Sequence, residues 1–172
     1  MTIDTKGVFA PSDRKTLLEG PLGAILMLPA SSTGGRLSLV EHPLQPRALG
    51  SPMHTHRNED EYSVVLEGVV GAQIGDRVLE AGVGSVVVKP RGVPHAFWNP
   101  SDEPCRLLEI ISPAGFENYF EELAGILAQL PPDLAALRDL ADRYGLDLDP
   151  TSIPRLVEEH GLTVHPLQRP AQ

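Results

Sequence analysis

Residues 53–68 read MHTHRNEDEYSVVLEG and carry two closely spaced histidines followed by a run of acidic residues and a β-branched segment. Alternate side chains of an extended strand point the same way, so His54 and His56 place both imidazoles on one face of a strand. Glu61 follows after a spacing that requires a bend, which the polar run 57–60 supplies. The letters YSVVLEG then predict a second strand that ends at glycine. The stretch therefore predicts a chelating histidine pair with a carboxylate close by.

A second stretch, residues 84–99, reads GSVVVKPRGVPHAFWN and supplies a third imidazole. Its glycines allow tight turns, its first proline fixes a bend, and VVV is typical of a β-strand. His95, Phe97 and Asn99 then share one face of the next strand. We expect Phe97 to line a cavity beside a metal and Asn99 to hold the strand end by hydrogen bonds.

Three neutral imidazoles and one carboxylate suit divalent Fe, Mn, Ni, Co or Zn, and the lack of thiolates argues against a closed structural zinc site. Four protein ligands leave positions for water, substrate or dioxygen. Glu59 has the same strand parity as Glu61 and competes with it as the fourth ligand. The acidic run that contains both is also compatible with a solvated turn.

The two stretches resemble the two sequence motifs of the cupin superfamily. The first motif is matched from its HxH element onward, by His54, His56, Glu61 and Gly68. Its leading glycine would be Gly50, with three residues instead of five before the first histidine. The second motif is matched at every specified position, by Gly84, Pro90, Gly92, His95 and Asn99.

This resemblance implies an all-β fold, an antiparallel double-stranded β-helix (a jelly roll, or cupin barrel). It also implies one divalent transition metal ion (Fe, Ni, Mn, Co or Zn) bound by His54, His56, Glu61 and His95. The family places its carboxylate ligand six residues before the motif's final glycine, which favours Glu61 over Glu59.

Along the chain, residues 1–112 are expected to form the barrel with an N-terminal arm. Short strands are predicted near 23–28 and 35–42, and a hairpin turn at Gly75-Asp76. Residues 113–172 predict a helical C-terminal extension that closes one barrel mouth or mediates a homodimer. The apolar residues of its first helix recur at spacings of three and four. They are Phe116, Tyr119, Phe120, Leu123, Leu127 and Leu130.

Two further helices are predicted at 133–144 and 153–160. The segments LADRYGLDL and LVEEHGLTV each contain a glycine that we interpret as a helix C-terminal cap followed by an apolar contact.

The composition limits which binding partners and which cellular location are expected for the chain. The net charge of −9 opposes binding to nucleic acid and to anionic membranes. No apolar run reaches the length of a membrane span, and no signal sequence is evident, so a cytoplasmic location is the default expectation. The single cysteine, Cys105, is interpreted as an inert buried strand residue. His42 precedes a proline and is interpreted as a surface residue outside the site.

Small cupins with three histidines and a glutamate resemble the quercetinase-type dioxygenases. That likeness implies an enol or flavonol-like small-molecule substrate, with Glu61 as both ligand and catalytic base. Val65 and Phe97 would line the substrate pocket and exclude water. The alternatives are a non-oxidative metal-dependent isomerase, cyclase or decarboxylase, and a non-catalytic small-molecule-binding cupin.

Overall fold

The computed structural model describes residues 7–129 and 131–163. The strands are β1 (Lys15–Leu18), β2 (Ala24–Leu28), β3 (Ser38–Leu44), β4 (Met53–His56), β5 (Asp60–Glu67), β6 (Val69–Ile74), β7 (Arg77–Gly82), β8 (Val86–Lys89), β9 (His95–Trp98), β10 (Cys105–Ser112) and β11 (Leu146–Asp149). The helices are α1 (Ala30–Thr33), α2 (Glu117–Leu127), α3 (Leu134–Arg143) and α4 (Ile153–His160). None of the helices in these residues has the length and apolar character needed to cross a bilayer.

The strands form two antiparallel sheets, as the predicted jelly roll requires. One sheet has six strands in the order β1-β2-β3-β10-β5-β8, and the other has five in the order β11-β4-β9-β6-β7. Residues alternate between buried and more exposed along β10 and most of β5, so one face of each strand turns to the interior. An apolar cluster joins the inner faces of both sheets. It consists of Leu44, Val65, Val70, Ala72, Ala81, Val87, Phe97, Cys105 and Leu107.

The strand expectations near 23–28 and 35–42 correspond to β2 and β3, with boundaries moved by up to three residues. The predicted hairpin joins β6 and β7, where Ile74 lies opposite Arg77. Gly75 has a φ of 56° while Asp76 keeps a negative φ. Only the first loop residue is left-handed, which fits a type II′ turn and not a type I′ turn.

The extension contains the three predicted helices. Gly145 and Gly161 have φ values of 66° and 60°, which confirms the glycine caps after α3 and α4. Leu130, the last residue of the predicted stripe, lies outside the described residues. The apolar stripe of α2 packs against the barrel through a cluster that includes Phe116, Tyr119 and Phe120.

Strand β11 was not predicted. It pairs with the whole of β4, with Leu146 opposite His56 and Leu148 opposite His54. The short LDLD segment alternates like a strand, but its partner edge exists only in three dimensions. The segment after residue 113 therefore completes the sheet that carries the histidine pair.

Candidate metal centre

Three strands bring the four predicted ligands together. His54 and His56 come from β4, His95 from β9 and Glu61 from β5, so the cluster bridges the two sheets. His54 and His95 lie directly opposite one another in the β4–β9 ladder. One nitrogen or oxygen from each of the four residues lies within 4.8 Å of the others, and all four side chains are buried.

Backbone carbonyls fix the direction of two imidazoles. His54 Nδ1 lies 2.9 Å from the Pro52 carbonyl oxygen, and His95 Nδ1 lies 3.0 Å from that of Val93. A carbonyl oxygen can only accept, so each Nδ1 carries the proton and each Nε2 keeps its lone pair. Burial lowers the pKa of His95, and burial together with the neighbouring imidazoles lowers that of His54 well below its ordinary value. Both rings are thus neutral donors at pH 7.

A carboxylate takes the corresponding place behind the third imidazole. His56 Nδ1 lies 3.4 Å from Glu59 Oε2, while His56 Nε2 lies 3.4 Å from Glu61 Oε1. The two carboxylates therefore stand on opposite sides of the ring. Glu61 belongs to the cluster and Glu59 does not, so Glu59 has the position of a residue that orients a ligand.

A buried ionic chain continues from Glu61 across the six-stranded sheet. Lys89 Nζ lies 2.9 Å from Glu61 Oε2 and 2.6 Å from Glu109 Oε2. Ser63 Oγ donates to the same Glu109 oxygen at 2.8 Å. The pairing of β5 with β8 sets Lys89 opposite Glu61, and the pairing of β5 with β10 sets Glu109 opposite Ser63. Both oxygens of Glu61 also face the cluster, since Oε1 lies 3.4 Å from His56 Nε2 and Oε2 lies 3.5 Å from His95 Nε2.

Sequence reasoning missed Lys89 and Glu109. Lys89 shares its strand face with Val87 in VVVK, and Glu109 occupies alternate positions with Leu107 and Ile111. This parity could have suggested that both point inward. Their meeting with Glu61 depends on the register between strands, which the motif spacing does not contain.

Two effects set the charges of the residues in this buried ionic chain. Burial disfavours the charged form of each residue, and contact with an opposite charge favours it. Burial opposes the charged form of Glu61, but Lys89 and the imidazoles of His56 and His95 outweigh it and hold the pKa of Glu61 well below its ordinary value. Burial likewise opposes the charge on Lys89, and the two carboxylates raise its pKa. Burial raises the pKa of Glu109 to about 7, and Lys89 only partly offsets this. Glu61 is thus an ionised ligand, while Glu109 titrates near neutrality.

The two residues predicted to line a pocket lie in the barrel interior. Val65 is buried within the apolar cluster, and the Phe97 ring lies 4.9 Å from Lys89 Nζ. A Cβ atom at Gly50 would collide with the Phe97 ring. Gly50, the leading glycine of the first motif, therefore gives Phe97 the room to lie beside the ligands. Asn99 hydrogen bonds to the chain on both sides of β9, as expected.

Helix α2 covers the end of the barrel beside the ligands. The Phe116 ring centroid lies 4.4 Å from that of His56, and Tyr119 stacks on Phe116 at 4.9 Å. These aromatic rings separate His56 from solvent, leaving it 1% exposed.

The interpretation of His42 as a surface residue is wrong, because only 2% of it is exposed. On β3 it shares the inward face with Val40 and Leu44. Its Nδ1 lies 2.7 Å from the Gly23 carbonyl oxygen, and burial lowers its pKa to about 4. It remains outside the metal-ligand cluster. Cys105 is fully buried with its pKa raised by burial to about 11, which agrees with an inert thiol.

The donor set fits a divalent transition metal. His95 Nε2 is buried and has no hydrogen-bond donor facing it, a costly arrangement that a metal ion would relieve. Two imidazoles with fixed lone pairs, a third beside Glu59 and an ionised carboxylate are together suited to Fe, Ni, Mn, Co or Zn.

Comparisons with known proteins agree with this architecture. The sequence model of the cupin domain matches residues 41–111. The probable oxidoreductase virH of Hypocrea virens is 30% identical over 87 residues, which are 48% of this chain and 40% of that protein. Oxidoreductase iacF of Pestalotiopsis fici is 35% identical over 91 residues, 46% of this chain and 43% of that protein. The aligned part thus spans about two fifths of these relatives.

Solved structures show the same barrel. The polyketide cyclase RemF from Streptomyces resistomycificus is 25% identical with a TM-score of 0.52, covering 60% of this chain and 76% of RemF. A predicted oxalate decarboxylase from Thermotoga maritima is 17% identical with a TM-score of 0.55, covering 61% of this chain and 97% of that chain. The second likeness concerns the fold alone. Together with the matched domain, these structures confirm the double-stranded β-helix.

Proposed function

We propose that this protein, whose residues 41–111 form a cupin domain, is a metal-dependent dioxygenase of small enol or flavonol-like substrates. The observation that carries the proposal is the buried convergence of His54, His56, Glu61 and His95. Two relatives named as oxidoreductases support a redox reaction in preference to simple binding.

A bound metal would lower the pKa of a substrate hydroxyl and provide positions for the substrate oxygen and for dioxygen. The protein's own residues prepare that site. Lys89 holds the Glu61 carboxylate in place beside the imidazoles of His56 and His95. The backbone contacts of His54 and His95 direct their Nε2 atoms into the same cluster. Phe116 and Phe97 exclude water from the interior.

The proton of the substrate hydroxyl needs an acceptor. The sequence suggested Glu61, and its low pKa together with its bond to Lys89 makes it a weak base at neutral pH. Its predicted role as a ligand fits these contacts better than its predicted role as a base. Glu61→Gln would separate the two roles, because the amide keeps a ligand oxygen but removes the negative charge.

Oxygen uptake tests the proposal. Protein loaded in turn with Fe, Ni, Co, Mn or Zn is mixed with quercetin and with 1,3-diketones in an oxygen electrode, beside His54→Ala as the matched control. We expect at least one metal-loaded form of the wild-type protein to consume oxygen at the same rate as it consumes substrate. His54→Ala should consume no oxygen. Substrate turnover without oxygen uptake would exclude the dioxygenase reaction.

A non-oxidative cyclase or isomerase is the second candidate. The likeness to the polyketide cyclase RemF favours it, since the two chains are 25% identical. In this reaction the metal would polarise a carbonyl as a Lewis acid. A zinc-loaded protein that rearranges a polyketide-like substrate under anaerobic conditions would establish this candidate over the first.

A further inference from the structure

A cleft of about 400 Å³ opens on the side of the barrel between β7 and β8. These are the edge strands of the two sheets, so the cleft lies where one sheet ends and the other begins. Its walls are mainly apolar on both sides. The apolar residues are Ile74, Leu79 and Ala81 on one side and Val86, Val87 and Val88 on the other, and the exposed Arg77, Glu80 and Ser85 complete the lining.

The inner wall of the cleft adjoins the candidate metal centre. Ile74 lies directly opposite His95 in the β6–β9 ladder. Partners in an antiparallel ladder project their side chains to the same face, so the Ile74 side chain lies beside the His95 imidazole. On the other wall, Val87 points inward two residues before Lys89, which lies opposite Glu61. The cleft therefore borders His95 directly through Ile74, and Val87 lies two residues along β8 from the partner of Glu61.

Aromatic rings cover the end of the barrel beside the ligands. Phe116 lies against His56 there, and Tyr119 and Phe120 pack around Phe116. The side cleft has no such cover among the described residues, and Val86 and Val88 beside it are about half exposed.

We propose that this cleft holds the organic body of the substrate, an aromatic or similarly flat apolar ring, while its enol oxygens point to His95 and Glu61. This inference rests on the proposed function and names the substrate class more closely. The volume falls within the range of small-molecule sites, and two apolar walls carried by facing strands suit a flat ring. Ile74, Leu79 and Val87 are then specificity-determining residues.

The test uses two kinds of probe. Acetophenone has a phenyl ring but cannot chelate a metal, so it reports on the cleft alone. Its titration into the metal-free, full-length protein is followed by the methyl NMR signals of Ile74, Leu79 and Val87. Benzoylacetone and acetylacetone are enols that differ by a phenyl ring, and their dissociation constants are measured with the zinc-loaded protein.

Two variants place a tryptophan at the rim of a groove. Ser85→Trp fills the entrance of the cleft from an exposed position. Ala128→Trp is the matched control, since this exposed alanine borders a groove of about 470 Å³ formed by β1 and α2.

We expect acetophenone to shift the three methyl signals in the wild-type protein and in Ala128→Trp, but not in Ser85→Trp. We also expect benzoylacetone to bind about tenfold more tightly than acetylacetone, because the cleft buries the phenyl ring. Ser85→Trp should abolish this difference.

Shifts confined to other methyl groups, or equal affinities for both diketones in the wild-type protein, would overturn the proposal. Methyl shifts that follow protein concentration without any ligand would also overturn it, because a second copy of the chain would then cover the cleft. If acetophenone shifts the three signals but neither diketone binds the zinc-loaded protein, the cleft stands as an apolar site. The proposed enol chemistry is then the part that fails.

Discussion

The two sheets contribute to the candidate metal centre in different ways. The five-stranded sheet supplies three imidazoles, and two of them are oriented by carbonyls only two residues away in sequence. The six-stranded sheet supplies the charges, with Glu61, Lys89 and Glu109 on three neighbouring strands. Local backbone geometry orients the imidazoles of the five-stranded sheet. Cross-strand register brings together the charged residues of the six-stranded sheet. Short-range structure is thus sufficient to orient donor atoms, whereas a buried charge balance requires pairing between strands that are distant in sequence.

Removing an imidazole is the most direct test of what the five-stranded sheet contributes to the metal centre. His95→Ala deletes the ligand that links β9 to the cluster, and we expect metal binding to be lost, with an affinity more than about 100-fold weaker. Elemental mass spectrometry of protein purified without chelators gives the metal content. His160→Ala, which removes a histidine on α4 that lies outside the cluster, is the control that should retain metal. Full metal content in His95→Ala would remove this histidine from the centre.

Removing the cation of the buried ionic chain tests what the six-stranded sheet contributes. Lys89→Met leaves Glu61 and Glu109 buried without their cation, so the free energy of unfolding should fall by about 3–5 kcal/mol. Urea denaturation of the metal-free protein measures the change. Lys15→Met removes a similar contact, 2.8 Å from Glu121, at the surface. That control should lose no more than about 1 kcal/mol. Equal losses in both variants would contradict a special role for burial.

The titration of Glu109 provides a further test of the buried charges in the six-stranded sheet. Its pKa is raised to about 7 in the folded chain and returns to an ordinary value on unfolding, so the folded state holds the proton more tightly. This stabilisation is present below about pH 4 and is lost as the pH rises through 7, a change of up to about 3 kcal/mol. The buried His42, His54 and His95 have lowered pKa values and stabilise the folded state more as the pH rises, so the decline is measured relative to Glu109→Gln. We expect urea denaturation of the metal-free proteins to show the wild type losing stability relative to Glu109→Gln between pH 5 and pH 8, and identical pH profiles would refute the assignment.

The smallest expected effect is that of Glu59, whose carboxylate lies between the strand of the histidine pair and the strand of Glu61. Glu59 lies on the loop between β4 and β5 and contacts His56 Nδ1. Glu59→Gln should weaken metal binding by about tenfold, the lower figure for residues that orient a ligand. Isothermal titration with zinc compares it with Glu158→Gln, which changes an exposed glutamate on α4. A larger loss, equal to that of His95→Ala, would mean that Glu59 is itself a ligand.

The same contrast explains how much the sequence could predict. The strand period of two predicted that His54 and His56 share a face, and the motif resemblance favoured Glu61 over Glu59. The structure brings these three residues together with His95. The double-stranded β-helix followed from the motif resemblance. Lys89 and Glu109 escaped prediction because their importance depends on strand register. The inward direction of His42 escaped because the sequence does not reveal which face of β3 is buried.

Strand β11 has a consequence for the dynamics of the centre. Four residue pairs join β11 to β4, whereas a single residue pair, His54 with His95, joins β4 to β9. The C-terminal extension therefore holds the histidine strand along its whole length, whereas β9 and the Gly92 amide hold it at single points. By thermodynamic linkage, a metal that binds only the folded site must also make the local opening of that extension less favourable. The amide hydrogens of Leu146 and Leu148, remote in sequence from every ligand, thus become reporters of metal occupancy in hydrogen exchange.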